Sequence, residues 1–438
     1  MQLHTACYGT SGDSAGQPCE DKRPSGRLEN IHSIDSRVCN LLMKRMNHMA
    51  KIKTYNIKPE TAVSQPLNVP HGMFPLNNVS PVVGMAASFI ARVVGKKSLL
   101  DSDDIARLID QDAFSETFVP RSKIHEYLIR LNTNSHKERK IISPDVICRG
   151  DAKELIHRLA DSSIQCTVTS TPYWAMRVYD DMESTEWADG ETCPFGLEQT
   201  PEGFIRHSVE ILHVLMPKMK FSGSVWWNIM DTFNTRTQIR SNAVEALHAM
   251  QGKDKRSWKD HKYKRYSCGH SFLKDGEQCL IPYRIAERAS RIGYFVKSII
   301  SWCKTSSLPE PQNSRVSRNV EYILHLTKSR APMFVKQRYG EGAPELGGRQ
   351  QDESKKLSDF WYLPTSSGRN GHGAQFPLQL PGRCILLSSN EGDTILDPFA
   401  GAGTTLLAAQ KLKRRFIGFD ISENYVKLTR LKLKTKEV

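Results

Sequence analysis

The feature that most constrains this fold is a run near the C-terminus. Thr394-Ile395-Leu396 is apolar and ends in Asp397; then come Pro398, Phe399, the small residues Ala400-Gly401-Ala402-Gly403, and Thr404-Thr405. Leu406, Leu407, Ala409 and Leu412 then recur at helical spacing. This order predicts a strand, a tight Gly-rich loop and a helix. Glycine permits positive φ and close approach of a ligand to the backbone, and amides at a helix N-terminus suit an anionic group. A second strand, Arg415-Phe416-Ile417-Gly418-Phe419, ends in Asp420. An acid at that position is where nucleotide-binding folds hold ribose hydroxyls. A glycine turn alone occurs in any α/β protein, and no Gly-Lys follows Gly403, so the loop is not a phosphate-binding Walker motif. The full series of acid, loop, helix, strand and acid favours a nucleoside-type ligand.

A second parallel unit lies upstream. Val146-Ile147-Cys148-Arg149 leads into Gly150-Asp151, a helix is expected over 152–159, and Ser163–Thr169 is a further strand. It runs directly into Ser170-Thr171-Pro172-Tyr173-Trp174. In such units the ligand site lies at the carboxyl ends of the strands. Pro172 biases Thr171 towards an extended backbone, so the Ser170 hydroxyl and the Thr171 carbonyl can stand side by side as acceptors. Two such acceptors match the two donor hydrogens of an exocyclic amine, and Tyr173 offers a face for a flipped base. Taken alone, these residues would also suit an ordinary turn with aromatic packing.

Here a family resemblance enters. Ser-Thr-Pro-Tyr-Trp is similar to the Ser-Pro-Pro-Tyr-Trp motif of DNA amino-methyltransferases, and Asp-Pro-Phe-Ala-Gly-Ala-Gly-Thr-Thr resembles their cofactor loop. The catalytic motif precedes the cofactor loop, as in the permuted beta class, and the similarity runs from about residue 148 to residue 433. The branch most resembled is the N4-cytosine enzymes of restriction-modification systems. The resemblance implies an α/β, Rossmann-like fold with a mostly parallel seven-stranded sheet, helices on both faces, and S-adenosyl-L-methionine as cofactor. It also implies direct transfer of a methyl group to cytosine N4 in duplex DNA by base flipping, protecting DNA from a cognate restriction endonuclease. By that likeness Ser170, Thr171, Pro172 and Tyr173 are catalytic. Asp151, Phe376, Asp397, Pro398, Phe399, Gly401, Gly403, Thr404, Thr405 and Asp420 bind the cofactor, Asp420 through the ribose hydroxyls and Asp151 through the adenine amine; each acid would otherwise serve as a helix cap. Thr171 replaces the family's first Pro, and His372-Gly373-Ala374 stands where family members commonly show His-Pro-Ala. Ser170 in the first catalytic position leans towards cytosine N4; an N6-adenine enzyme, a catalytically silent DNA-binding protein and a small-molecule or RNA methyltransferase are the alternatives. The only Pro-Cys pair is Pro18-Cys19, in the expected tail, so the covalent C5-cytosine route is set aside.

Charge and organisation fit this reading. The 438 residues carry 61 Lys and Arg against 47 acids, a net charge of +14, which favours polyanionic partners. The basic run 253–265 holds seven Lys and Arg against two Asp: Lys253, Lys255, Arg256, Lys259, Lys262, Lys264 and Arg265, interleaved with Trp258 and Tyr263. Cations neutralise phosphates and aromatics stack on bases, so these, with Arg315 and Arg318, are the expected DNA contacts. Residues 1–55 read as a flexible tail, 56–140 as a small helical region, and 141–330 as the catalytic half with a basic insertion near 232–280. Residues 331–365 follow as the target-recognition region and 366–438 as the cofactor half. Met43, Met46 and Met49 cluster before the pattern becomes regular, where an internal translation start would fall. Ten scattered cysteines without paired CxxC spacing fit a reducing, cytoplasmic setting. Cys268, His270 and Cys279 lack that pairing too, so no metal is expected. The most apolar stretch, 81–94, is shorter than the roughly 20 residues a membrane span needs.

Overall fold

The computed structural model describes residues 69–70, 72–111, 116–133, 140–174, 182–234, 273–274, 276–304, 314–338, 357–364 and 376–434, together with the backbone of 237–240 and 263–266. The expected tail, most of the basic run and the segment around His372 lie outside the described residues.

Eight strands form the central sheet: β1 (Val146–Arg149), β2 (Ile164–Ser170), β3 (Met219–Ile229), β4 (Phe295–Lys304), β5 (Val320–Thr327), β6 (Phe360–Leu363), β7 (Thr394–Asp397) and β8 (Arg415–Asp420). Their spatial order is β6-β4-β5-β3-β2-β7-β8-β1. Pairings are parallel except at β5, which runs against both β4 and β3. The seven expected strands are all present. The eighth, β6, extends the sheet beside the end of β4, with Trp302 opposite Trp361.

Alternation along the strands splits the core in two. Val225, Trp227, Leu324, Leu396, Ile417 and Phe419 face one side; Trp226, Ile323, Ile395 and Phe416 face the other. The N-terminal helices α1 (Leu76–Val83), α2 (Ala87–Val94), α3 (Ser102–Gln111) and α4 (Ile124–Thr133) join the first side, with α5 (Ala152–Ile156), α6 (Pro201–Leu215) and α7 (Ile281–Arg291). Helices α8 (Gln379–Ser388), α9 (Thr404–Lys411) and α10 (Glu423–Leu433) cover the second. Thr200 caps α6 by accepting from the Gly203 amide at 3.0 Å, and Pro201 occupies its first turn, both regular start signals. α3 is capped by Asp101, which accepts from the Asp104 amide at 2.8 Å; Ser102 is the first helical residue.

The N-terminal helices brace the sheet-covering layer. Phe118 stacks on His213 of α6 at 4.8 Å, and Arg288 of α7 donates to the Thr117 carbonyl at 3.2 Å. Among the described residues, no helix is long and apolar enough to cross a membrane.

Candidate active site

The chain leaves β2 through α6 to β3 on one side, and leaves β7 through α9 to β8 on the other. The direction of winding therefore reverses between β2 and β7, the place where open α/β sheets leave a crevice at their strand ends. β2 and β7 are hydrogen-bonded neighbours, with Leu396 opposite Thr167. Asp397 and Ser170 thus emerge along the same edge.

Thr169 ties these ends together by donating to Asp397 Oδ1 at 2.7 Å. The same oxygen accepts from the Phe399 amide at 3.1 Å. Asp397 is buried, and burial pushes its carboxyl up to about 6 against the opposing bonds from Thr169, Thr405 and the Phe399 amide. Its structural work is to shape the start of the loop. Thr405, also buried, donates to the Val168 carbonyl at 3.3 Å and pins α9 to β2. Gly403 sits at φ +78, where a Cβ would lie 2.5 Å from Thr429 Cγ2. Pro398 is buried, while Phe399, Gly401 and Thr404 keep partial exposure.

The Ser170–Trp174 loop is fastened at both ends. Trp174 is buried and its indole donates to the Glu198 carbonyl at 3.0 Å. Pro172 lies against Gly196, where a Cβ would come within 3.1 Å of Pro172 Cβ. Phe195, next to Gly196, stacks on Phe399 of the glycine loop with centroids 5.3 Å apart. The two loops are therefore joined by a short bridge of packed rings.

Three further residues, Asn228, Glu321 and Lys304, complete the polar end of the site. Asn228 Nδ2 donates to the Tyr173 hydroxyl at 2.9 Å and to Glu321 Oε2 at 2.8 Å, and lies 3.3 Å from Ser170 Oγ. Tyr173 also donates to Glu321 Oε2, and Lys304 pairs with Glu321 Oε1 at 3.1 Å. Sequence reasoning missed Thr169, Asn228, Lys304 and Glu321 as site residues. The available signal was an amide interrupting the buried run Val225-Trp226-Trp227 and an acid at the entry of an apolar strand.

Two acids stand at the opposite end of the crevice. Asp420 Oδ2 accepts from the Gly401 amide at 2.7 Å and Oδ1 from the Ser422 amide at 2.9 Å. Burial raises its carboxyl, opposed by those two bonds. Gly150 donates to the Asp420 carbonyl at 3.0 Å, so Asp151 begins the next turn alongside. Asp151 caps α5 through the Glu154 amide at 3.0 Å and accepts from Thr185 at 2.7 Å. Each carboxylate oxygen still has a second lone pair. Open space lies above Gly401, where a Cβ would meet nothing within 4 Å.

Other predicted residues are placed as follows. Phe376 is buried in the second core cluster. The Arg315 guanidinium lies 3.9 Å from the Phe233 ring centroid and that of Arg318 4.9 Å, while Arg318 donates to the Asp231 carbonyl at 2.9 Å. This puts both arginines just beyond the end of β3. Lys264 and Arg265 lie on the strand Tyr263–Tyr266, paired antiparallel with Thr237–Arg240. Lys253, Lys255, Arg256, Lys259 and Lys262 fall outside the described residues.

A family model described as DNA methylase matches residues 164–431, which span β2 through α10 and so take in both loops. The chain belongs to the DNA methylase family. Among curated relatives, the methylase is 31% identical to the type II methyltransferase M.MjaI of Methanocaldococcus jannaschii, over 66% of this chain and 90% of that one. It is 26% identical to the type II methyltransferase M.SmaI of Serratia marcescens, over 64% of this chain and 88% of that one. Among solved structures it resembles the PvuII DNA methyltransferase (cytosine-N4-specific), at 18% identity and a TM-score of 0.46, covering 68% of this chain and 88% of that one. That likeness is too distant to bear on the assignment of this methylase.

Proposed function

We propose that this DNA methylase is a site-specific cytosine-N4 methyltransferase that uses S-adenosyl-L-methionine and modifies a flipped-out base in duplex DNA. The observation that carries the reading is the junction of the two loops: Thr169 bonded to Asp397 at 2.7 Å, and Phe195, beside the Pro172 contact, stacked on Phe399. One crevice then serves both a base amine and a methyl donor.

The residues present fit that cofactor. Asp420 retains lone pairs for ribose hydroxyls, Asp151 can accept from the adenine amine, and the space above Gly401 lets a ligand approach the backbone. S-adenosyl-L-methionine, when bound, supplies a methyl group made electrophilic by a sulfonium. Ser170 Oγ and the Thr171 carbonyl accept the two N–H groups of the base amine, concentrate density on nitrogen and aim its lone pair. Positioning of this kind can lower a barrier by about 7–11 kcal/mol. The same acceptors stabilise charge developing on nitrogen. Tyr173 offers its ring to the base, and Arg315 and Arg318 meet the DNA backbone at the rim. The basic strand holding Lys264 and Arg265 extends that contact.

The type II names of M.MjaI and M.SmaI support a role in a restriction-modification system, with an endonuclease sharing the target sequence. In that role the methylase works in the cytoplasm, on the nucleoid. The test is nucleoside analysis and site mapping of DNA from cells expressing the chain. N4-methylcytosine at one repeated sequence is expected; N6-methyladenine in its place would overturn the cytosine assignment.

A further inference from the structure

We propose that Glu321 is the end of a proton relay that runs from the base amine through Ser170 and Tyr173. The inference rests on the amine-methylation reading of this site and adds residues outside the two motifs.

The chemistry creates the need. As the nitrogen–methyl bond forms, the sulfur–methyl bond breaks and sulfur keeps the electron pair. The accepting nitrogen is left with a positive charge and one proton in excess. Neither acceptor proposed to hold the amine can keep that proton: a serine hydroxyl and a peptide carbonyl are both far too weakly basic. The proton has to reach a group that is stable when protonated.

The arrangement of hydrogen bonds supplies such a group. Asn228 Nδ2 donates to the Tyr173 oxygen at 2.9 Å, so the tyrosine proton must point elsewhere, and it points to Glu321 Oε2. Asn228 Nδ2 also donates to that carboxylate at 2.8 Å, which fixes the amide orientation, since the reverse would set Oδ1 against the carboxylate. Ser170 Oγ lies 3.3 Å from the Tyr173 oxygen. That is long for two hydroxyls, but catalytic hydrogen bonds commonly tighten once substrate is bound. The sequence of transfers balances. The amine proton passes to Ser170 Oγ, the serine proton to Tyr173, and the tyrosine proton to Glu321. Both hydroxyls end as they began, and the carboxylate becomes a neutral acid that returns its proton to solvent.

The groups facing Glu321 suit this task. Lys304 on β4 lies 3.1 Å from Oε1 and sets a cation beside the carboxylate, with both side chains largely buried, at 14% and 11% exposure. Among the described residues, β3 and the β2 loop present it with neutral donors, Asn228 and Tyr173. Glu321 does not touch the base; it acts through Tyr173 and is a positioning and relay residue.

The test compares Glu321→Gln, Glu321→Asp and Tyr173→Phe in single-turnover methyl transfer, with cofactor and DNA affinities measured on each by calorimetry and fluorescence anisotropy. Glu321→Gln and Tyr173→Phe should each lower the transfer rate constant by roughly 100-fold with both affinities unchanged, and the double variant should be no worse than either single one. Glu321→Asp, which keeps a carboxylate, should recover much of the rate that Glu321→Gln loses. A merely structural contact would be served as well by the isosteric amide of Glu321→Gln. Wild-type rates in Glu321→Gln, or a Glu321→Asp variant as slow as Glu321→Gln, would overturn the relay while leaving the methylation reading intact. A wild-type chain that binds DNA and S-adenosyl-L-methionine but methylates no DNA amine would bring down both.

Discussion

Two glycines in one loop should respond very differently to the same substitution. Gly401 and Gly403 both adopt positive φ, +50 and +78. Alanine at either costs about 1–2 kcal/mol of backbone strain. At Gly401 the new methyl would meet nothing within 4 Å, so that strain is the whole effect. At Gly403 it would lie 2.5 Å from Thr429 Cγ2 and 2.8 Å from Oγ1. Thr429 is buried and its hydroxyl donates to the Gly401 carbonyl at 3.0 Å, so it cannot turn aside without losing that bond. Overpacking of this kind adds about 1–3 kcal/mol. Gly403→Ala should therefore cost about 2–5 kcal/mol against about 1–2 for Gly401→Ala. Urea unfolding followed by tryptophan fluorescence measures both. Thr429→Ala removes the two nearest atoms, so in its background the Gly403→Ala penalty should shrink by roughly 1–2 kcal/mol, a coupling expected of residues in contact. Equal losses at the two glycines, or strict additivity with Thr429→Ala, would refute the reasoning.

The two ends of the crevice should separate in function. Ser170→Ala should slow methyl transfer by roughly 100-fold or more with cofactor affinity unchanged. Asp420→Ala should weaken cofactor binding by roughly 10- to 100-fold, as expected for loss of hydrogen bonds to a charged group, with calorimetry as the readout. His207 should give stability a pH dependence. Burial works to lower its pKa, but hydrogen bonds to Asp189 and Glu198 outweigh that and raise it from 6.5 to about 9. A raised value means the contribution, about 3 kcal/mol, is complete below pH 6.5 and is lost as pH climbs through about 9. Thermal unfolding of wild type and His207→Gln should converge over that interval; parallel curves would contradict the assignment of the charge.

Much of the architecture could be read from sequence because its signals are local. Apolar runs ending in Asp397 and Asp420 and small residues between them point to strand, loop and helix without any long-range information. Boundaries were less legible. α5 stops at Ile156 instead of continuing to residue 159, and β3 begins at Met219, before Gly223 interrupts its pattern. β6 escaped notice because it has only four residues, and its alternation is hidden by two exposed aromatics, Phe360 and Tyr362, beside the buried Trp361 and Leu363. The Asn228–Glu321 contact spans 93 residues of sequence. Nothing local announces it; it exists because β3 and β5 pair with Asn228 opposite Ile323. Asp151 was legible as a strand-end acid with two readings, ligand contact or helix cap, and the cap is present through the Glu154 amide.

The reversed strand has a consequence for how such a site can change. A sheet of uniformly directed strands offers its ligand edge only exits, and each exit leads into a loop free to drift. β5 offers an entry, and Glu321 sits on it, clamped on one flank opposite Trp302, while Tyr322 next door is clamped on the other opposite Ile229. The connection leading into β5 can change in length and content, and the carboxylate at the start of the strand will stay where the ladder puts it.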